Sequence, residues 1–317
     1  MTGTAMLEIT GLSHAFGPRA PGSGHLALDG ITLTVTEGEL VSIVGPSGCG
    51  KSTLLRCVAG LIRPTGGSVV LRGVPVVTVP DRLAVVFQDY SRSLFPWLSV
   101  RDNVALPLRR TQPSRAQRRA TALDALGTVG LTDTAQKYPW QLSGGMQQRV
   151  AIARALACDP VLLLMDEPFG SVDAQTREDL EDLILAVRQD RQMTILMVTH
   201  DIDESVYVGD RVIVLTRGPG RVRADLQVDL PAPRDQIATK ELPAFVRLRT
   251  KVSRLVRGQE GGPGRPGEPG GGAAPGRPGE PGGAEEPGRP ADPGGAGRAE
   301  YWGRDRKRSR AARASHE

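Results

Sequence analysis

The most restrictive passage in this 317-residue chain runs from Leu40 to Leu61. LVSIV (Leu40 to Val44) is a continuous apolar run, the pattern of a strand buried on both faces, and it stops at Gly45. GPSGCGKST follows, and KSTLLRCVAGL then places Leu54, Leu55, Val58 and Leu61 at helical spacing. Strand, glycine loop and helix thus follow one another directly, which points to an α/β fold built on a parallel sheet.

The rest of the chain extends that reading. Leu7 and Ile9 alternate with polar residues in LEIT, and Ile31, Leu33 and Val35 do so in ITLTV, so two antiparallel strands are expected near the start. Residues from about 89 to 155 carry polar helical patterns such as PSRAQRRATALDALGTVG and few strand candidates, and read as a helical insertion. Strand pattern returns at VLLLM (Val161 to Met165), TILMVT (Thr194 to Thr199) and RVIVLT (Arg211 to Thr216), with the charged helix TREDLEDLILAVRQD between the first two. Leu242, Phe245, Leu248, Val252 and Leu255 then form one stripe of a docked surface helix.

The glycine loop has the P-loop pattern, a glycine, four residues, then Gly-Lys-Ser/Thr, over Gly45, Pro46, Ser47, Gly48, Cys49, Gly50, Lys51, Ser52 and Thr53. Glycines let backbone N–H groups converge on a polyphosphate, and the helix that follows adds the positive end of its dipole. Lys51 is placed for the β- and γ-phosphates, and the Ser52 hydroxyl for Mg²⁺. Cys49 reads either as a small filler or as a thiol activated by the helix start. After VLLLM come Asp166 and Glu167, carboxylates at the carboxyl end of a strand, where ligands of open α/β sheets bind. There Asp166 suits Mg²⁺, and Glu167 suits a base that polarises an attacking water.

LSGGMQQR (Leu142 to Arg149) lies just ahead of that strand, and with it the chain resembles the nucleotide-binding subunit of ATP-binding cassette (ABC) transporters. Ser143, Gly144 and Gly145 at a helix start form a second anion-binding element. The resemblance spans about residues 5 to 257 and implies a P-loop NTPase cassette with a mixed sheet core, an antiparallel β subdomain and a helical insertion. It implies ATP and Mg²⁺ as ligands, and two subunits sandwiching two ATP molecules, each P-loop facing the other chain's Ser143 loop. It further matches Phe16 to an adenine-stacking aromatic, Gln88 in VVFQD to a contact of Mg²⁺ and the attacking water, Asp173 in GSVDAQ to an interface aspartate, and His200 in VTHD to a γ-phosphate contact.

Within the family, SLFPWLSVRDNVALPL (Ser93 to Leu108) resembles importers of nitrate, sulfonates and taurine. Phe95, Pro96 and Trp97 put bulky apolar surface on a loop, either to anchor a partner or to pack the helical insertion. The resemblance implies membrane permease subunits and an extracytoplasmic solute-binding protein as partners, and a peripheral place on the cytoplasmic face of the membrane. An exporter cassette, or an ABC ATPase of DNA repair or translation, remains the alternative; the FPW segment points to import, and paired cassettes or coiled-coil insertions are not visible.

Composition narrows the rest. Three cysteines without CxxC spacing exclude a disulfide scaffold, and no apolar run approaches the roughly 20 residues that span a bilayer, so neither secretion nor membrane spanning is expected. Forty Lys and Arg nearly balance 35 Asp and Glu, which gives no sign of nucleic-acid binding. Much of the chain's 39 Gly and 25 Pro falls in residues 258–317, where PGRPGEPGG begins at Pro263 and again at Pro275. That tail cannot bury enough apolar surface to order itself and ends in a basic cluster from Arg304 to Arg313, so the folded cassette is expected to be residues 1–257.

Overall fold

The computed structural model describes residues 4–17, 25–89, 93–170 and 172–259. The tail beyond Gln259, the loop PRAPGSG after Gly17, and Ser171 lie outside them.

Two sheets organise the chain. The first is antiparallel, in the order β2-β1-β4-β5, from β1 (Ala5–Phe16), β2 (His25–Thr36), β4 (Gly66–Leu71) and β5 (Val74–Pro75). Its inner face follows from alternation: Ile31, Leu33 and Val35 are buried while Thr32 and Thr34 are exposed. The second is mixed, in the order β10-β9-β3-β8-β7-β6, from β3 (Leu40–Val44), β6 (Leu83–Val86), β7 (Leu162–Asp166), β8 (Thr194–Thr199), β9 (Arg211–Leu215) and β10 (Val222–Gln227). Strands β9 to β6 in that order are parallel, and β10 closes the edge antiparallel to β9.

Every residue of β3, β7, β8 and β9 is buried, the expected consequence of covering a parallel sheet on both faces. Alternate side chains of β8 enter two apolar cores. Ile195 and Met197 meet Ile152, Ile184, Phe245 and their neighbours, whereas Leu196 and Val198 meet the antiparallel sheet and Leu54, Leu55 and Val58 of the helix Lys51–Val58. The stripe on the helix Pro243–Val256 docks as expected, with Phe245 and Val252 buried and Leu242, Leu248 and Leu255 packed against the first core.

Between β6 and β7 the described chain is helical, with α-helices Val100–Ala105, Arg115–Thr128 and Gly144–Leu156 joined by short 3₁₀ turns. Two details depart from the sequence pattern. The helix after the glycine loop ends at Val58, because Gly60 takes a left-handed φ of 69° against Thr78; Leu61 therefore leaves the apolar stripe and is exposed. Strand β7 starts at Leu162 and takes in Asp166 as its last residue, one position later than VLLLM suggests.

Candidate functional site

Four neighbouring parallel strands end at one edge of the mixed sheet, and each delivers a chemical group there. The ladders pair Val44 with Thr199, Val198 with Asp166, and Met165 with Val86, so the strand ends are level. Immediately beyond them lie the glycine loop after β3, His200 after β8, Glu167 after β7 and Gln88 just past β6. This is the carboxyl-end crevice in which open α/β sheets bind ligands.

The glycine loop is shaped by close approach. Gly50 caps the helix Lys51–Val58 at φ 94°, and a β-carbon there would meet Leu28 at 2.7 Å and the Ala27 carbonyl at 2.8 Å, so the loop has room for glycine alone. Cys49 is fully buried, and burial pushes its thiol up despite the neighbouring Lys51; the activated-thiol reading is set aside, and the residue is a small filler. The Lys51 ammonium is buried and donates to the Gly45 carbonyl at 2.9 Å, across the mouth of the loop. Ser52 donates its hydroxyl to Asp166 Oδ1 at 3.1 Å. Burial pushes the Asp166 carboxyl up, partly offset by this bond.

The Ser52 hydroxyl, the Asp166 carboxylate and the Gln88 amide oxygen are hard oxygen donors, the chemistry Mg²⁺ takes alongside phosphate oxygens and water. The Gln88 amide nitrogen donates to Glu167 Oε2 at 2.8 Å, which leaves its carbonyl oxygen for another partner.

Glu167 is held with unusual definition. Its φ of 45° is left-handed, uncommon for a non-glycine residue and the kind of strain that surrounding contacts must sustain. Its N–H donates to the Val198 carbonyl at 2.8 Å, its carbonyl accepts from Gly170, and its carboxylate lies 3.1 Å from His200 Nδ1 as well as on Gln88. A carboxylate held through its Oε2 by both Gln88 and His200, beside a glycine loop, can orient and deprotonate a water attacking a phosphoryl group.

The other expected residues lie apart from this cluster. Ser143 caps the helix Gly144–Leu156 by accepting from Met146 N–H, and Ser143 and Gly144 are exposed. Asp173 caps the helix Ala174–Arg191, accepting from Thr176 N–H at 3.0 Å and from its hydroxyl at 2.7 Å. The two helix starts touch: a β-carbon on Gly145 would fall 2.2 Å from Thr176 Cγ2. Among the described residues no hydrogen bond links Ser143, Gly144 or Gly145 to the glycine loop. Phe16 ends β1 exposed, its ring edge-on to His14 at 4.6 Å. Phe95 and Trp97 pair at 5.3 Å, and Trp97 is 70% exposed.

Several supporting residues escape a reading of motifs. Gln148 donates to the Pro168 carbonyl, tying the Ser143 helix to the Glu167 turn. Thr199, Asp201 and Glu204 brace the turn that carries His200. For the last group a signal exists, since Asp201 and Glu204 stand at capping-box spacing.

Comparison with known proteins places the chain in a family. The family described as "ABC transporter" matches residues 28–170. The nitrate import ATP-binding protein NrtD of Synechococcus elongatus is 45% identical over 239 residues, covering 74% of this chain and 85% of that protein. The bicarbonate transport ATP-binding protein CmpC of the same organism is 46% identical over 248 residues, covering 77% of this chain; the match spans 37% of that longer protein. An ATP-binding cassette solved as a dimer in a post-hydrolysis state with ADP and Pi superposes with a TM-score of 0.63 at 34% identity, covering 70% of this chain and 99% of that one.

Proposed function

The chain belongs to the ABC transporter family, and from that premise we propose that it is the ATP-hydrolysing subunit of an importer for a small anion such as nitrate, bicarbonate, a sulfonate or taurine. The observation that carries the reading is the convergence of the glycine loop, the Ser52–Asp166 pair and Glu167, gripped by Gln88 and His200, on level strand ends.

In this reading the loop amides of Gly45 to Thr53 and the Lys51 ammonium cradle the β- and γ-phosphates, and Lys51 exchanges the Gly45 carbonyl for phosphate oxygens. Ser52, Asp166 and Gln88 hold Mg²⁺, which when bound neutralises the charge that develops on those oxygens. Glu167 takes the proton of the attacking water, and His200 anchors that carboxylate and reaches for the γ-phosphate. Phe16 offers its open ring to the adenine. Ser143, Gly144 and Gly145 face the nucleotide of a second cassette, with Asp173 at the interface between the two, so the working unit is a dimer. Residues 1–257 make up this cassette.

Among the described residues no helix is long and apolar enough to cross a membrane. In this reading the cassette works from the cytoplasmic face through integral permease subunits, which receive the solute from an extracytoplasmic binding protein. The Phe95–Trp97 pair supplies apolar contact for the permease.

The test is reconstitution with the permease in membrane vesicles. ATP-dependent uptake of one of these anions that disappears in Lys51→Ala supports the reading. ATP hydrolysis by a chain that never co-purifies with a membrane subunit contradicts it.

A further inference from the structure

The turn that carries His200 is closed by hydrogen bonds that the phosphate site does not share. Thr199, the last residue of β8, is 1% exposed; its hydroxyl donates to Glu204 Oε2 at 2.9 Å and accepts from the Asp201 N–H at 3.0 Å. Asp201 Oδ1 accepts in return from the Glu204 N–H at 3.2 Å, which caps the helix Ile202–Val208. Arg177, on the helix that Asp173 begins, holds Asp201 Oδ2 at 3.2 Å. Thr199, before His200, is therefore tied to the buried Glu204 carboxyl, and Asp201, after it, to the Thr199 hydroxyl and the Glu204 N–H, while the imidazole itself reaches out to Glu167.

Glu204 is an expensive residue to keep in this place. It is 4% exposed, and its Oε1 has no hydrogen-bond partner. Burial, reinforced by the charges of Asp201 and Glu181, pushes its carboxyl up to about 8 against the lowering effects of the Thr199 hydroxyl and Arg177. A neutral apolar side chain would fill the volume without that desolvation, but it could not hold the Thr199 hydroxyl.

We propose that Glu204 is a positioning residue for His200: through Thr199 and Asp201 it fixes the backbone on both sides of the imidazole, so that Nδ1 stays in reach of Glu167. The inference rests on His200 belonging to the ATPase site. In this account Glu204, buried behind the turn, acts by keeping the His200–Glu167 contact formed before substrate arrives, and a displacement of about 1 Å in such a contact can slow catalysis roughly 100-fold.

The test has one arm independent of hydrolysis. The chain has four histidines, so the imidazole Cε1–H signals of the full chain can be resolved by NMR and that of His200 assigned with His200→Asn. Glu204→Ala, and Thr199→Val as a second route to the same lesion, are expected to move the His200 signal and leave those of His14, His25 and His316 in place. Glu204→Gln keeps an acceptor for Thr199 and should leave all four unmoved.

In the kinetic arm, Glu204→Ala and Thr199→Val lower kcat roughly 10- to 100-fold with KM for ATP near its wild-type value. Glu204→Ala added to His200→Ala lowers the residual rate no further, because the residue it positions is already gone. An unmoved His200 signal in folded Glu204→Ala and Thr199→Val, or a full additional loss in the double variant, overturns the proposal. If the wild-type chain hydrolyses no ATP, the proposed function fails, and the NMR arm still decides whether Glu204 sets the position of His200.

Discussion

The two regions proposed to bind phosphate, the glycine loop and the Ser143 helix start, are held in opposite ways. The glycine loop, Asp166, Glu167 and His200 sit on the ends of β3, β7 and β8, whose residues are all buried and locked in register. Ser143 and Gly144 are exposed at the start of a helix in the stretch between β6 and β7, fastened through Gly145 against Thr176 and through Gln148 on the Pro168 carbonyl. The aromatic surface differs too: Trp97 and Trp140 are each 70% exposed in the helical region, while every residue of the four central strands is buried. On the proposed function, the contrast sets the sheet edge as one half of a site against a helical region whose exposed surfaces a second molecule would complete.

The largest expected effect breaks the sheet-edge half alone. Glu167→Gln should leave ATP affinity intact while steady-state hydrolysis falls by roughly 10² to 10⁴, the scale of a lost acid–base contribution. Normal turnover in that variant removes Glu167 as the base.

Breaking the fastening between the regions comes next. Gly145→Ala drives a β-carbon into Thr176, and overpacking of this kind typically destabilises by about 1–3 kcal/mol. Thr176→Ser deletes the offending methyl and keeps the hydroxyl on Asp173, so the double variant should regain much of the lost stability in denaturant unfolding. A double variant no more stable than Gly145→Ala alone shows that the two helix starts are not coupled as described.

A smaller effect concerns the buried carboxyls Glu181 and Glu204, the second of them beside the turn that carries His200. Burial pushes Glu181 up to about 7 and Glu204 up to about 8, from an ordinary 4.5. Both bind their proton more tightly in the folded chain than in the unfolded one. Folding therefore takes up protons between about pH 4.5 and 8, and stability falls as pH rises through that window. Glu204→Gln should flatten the decline of Tm with pH; an unchanged slope means that Glu204 is ionised in the folded chain.

The smallest effect on the isolated protein comes from the aromatic surface. Replacing Phe95 and Trp97 together with alanine should change stability by less than about 0.5 kcal/mol and leave ATP affinity near wild type, while reducing uptake in vesicles. A collapse of the fold would mean that these rings pack the helical region.

What could be read in advance divides along the same line. Strands β3, β8 and β9 announce themselves as continuous apolar runs, and the glycine loop by its spacing of a glycine, four residues, then Gly-Lys-Ser. Strands β4, β5 and β6 do not, since GGSVVL opens on two glycines, Val74–Pro75 is two residues long, and LAVV is too short for its period to be told from a helical segment. Leu61 keeps helical spacing on paper but follows Gly60, whose left-handed turn ends the helix. The motif positions of the candidate site are local and visible, and the capping-box spacing flags Glu204; Gln148 on Pro168 and Thr176 against Gly145 work through contacts that exist only after folding.

The central claim is that the sheet edge of one chain and the Ser143 loop of another complete a single site, and mixing two crippled chains tests it most directly. Lys51→Ala disables the glycine loop. Ser143→Asp keeps a good helix cap but sets a negative charge where the γ-phosphate of the partner's nucleotide would sit. Each variant alone should be nearly inactive. After mixing, half the dimers would be mixed and would hold one intact site of two, so hydrolysis should recover to about a quarter of the wild-type rate in a symmetric dimer. A mixture as inactive as its parents, together with full wild-type activity in a strictly monomeric preparation, would contradict the account.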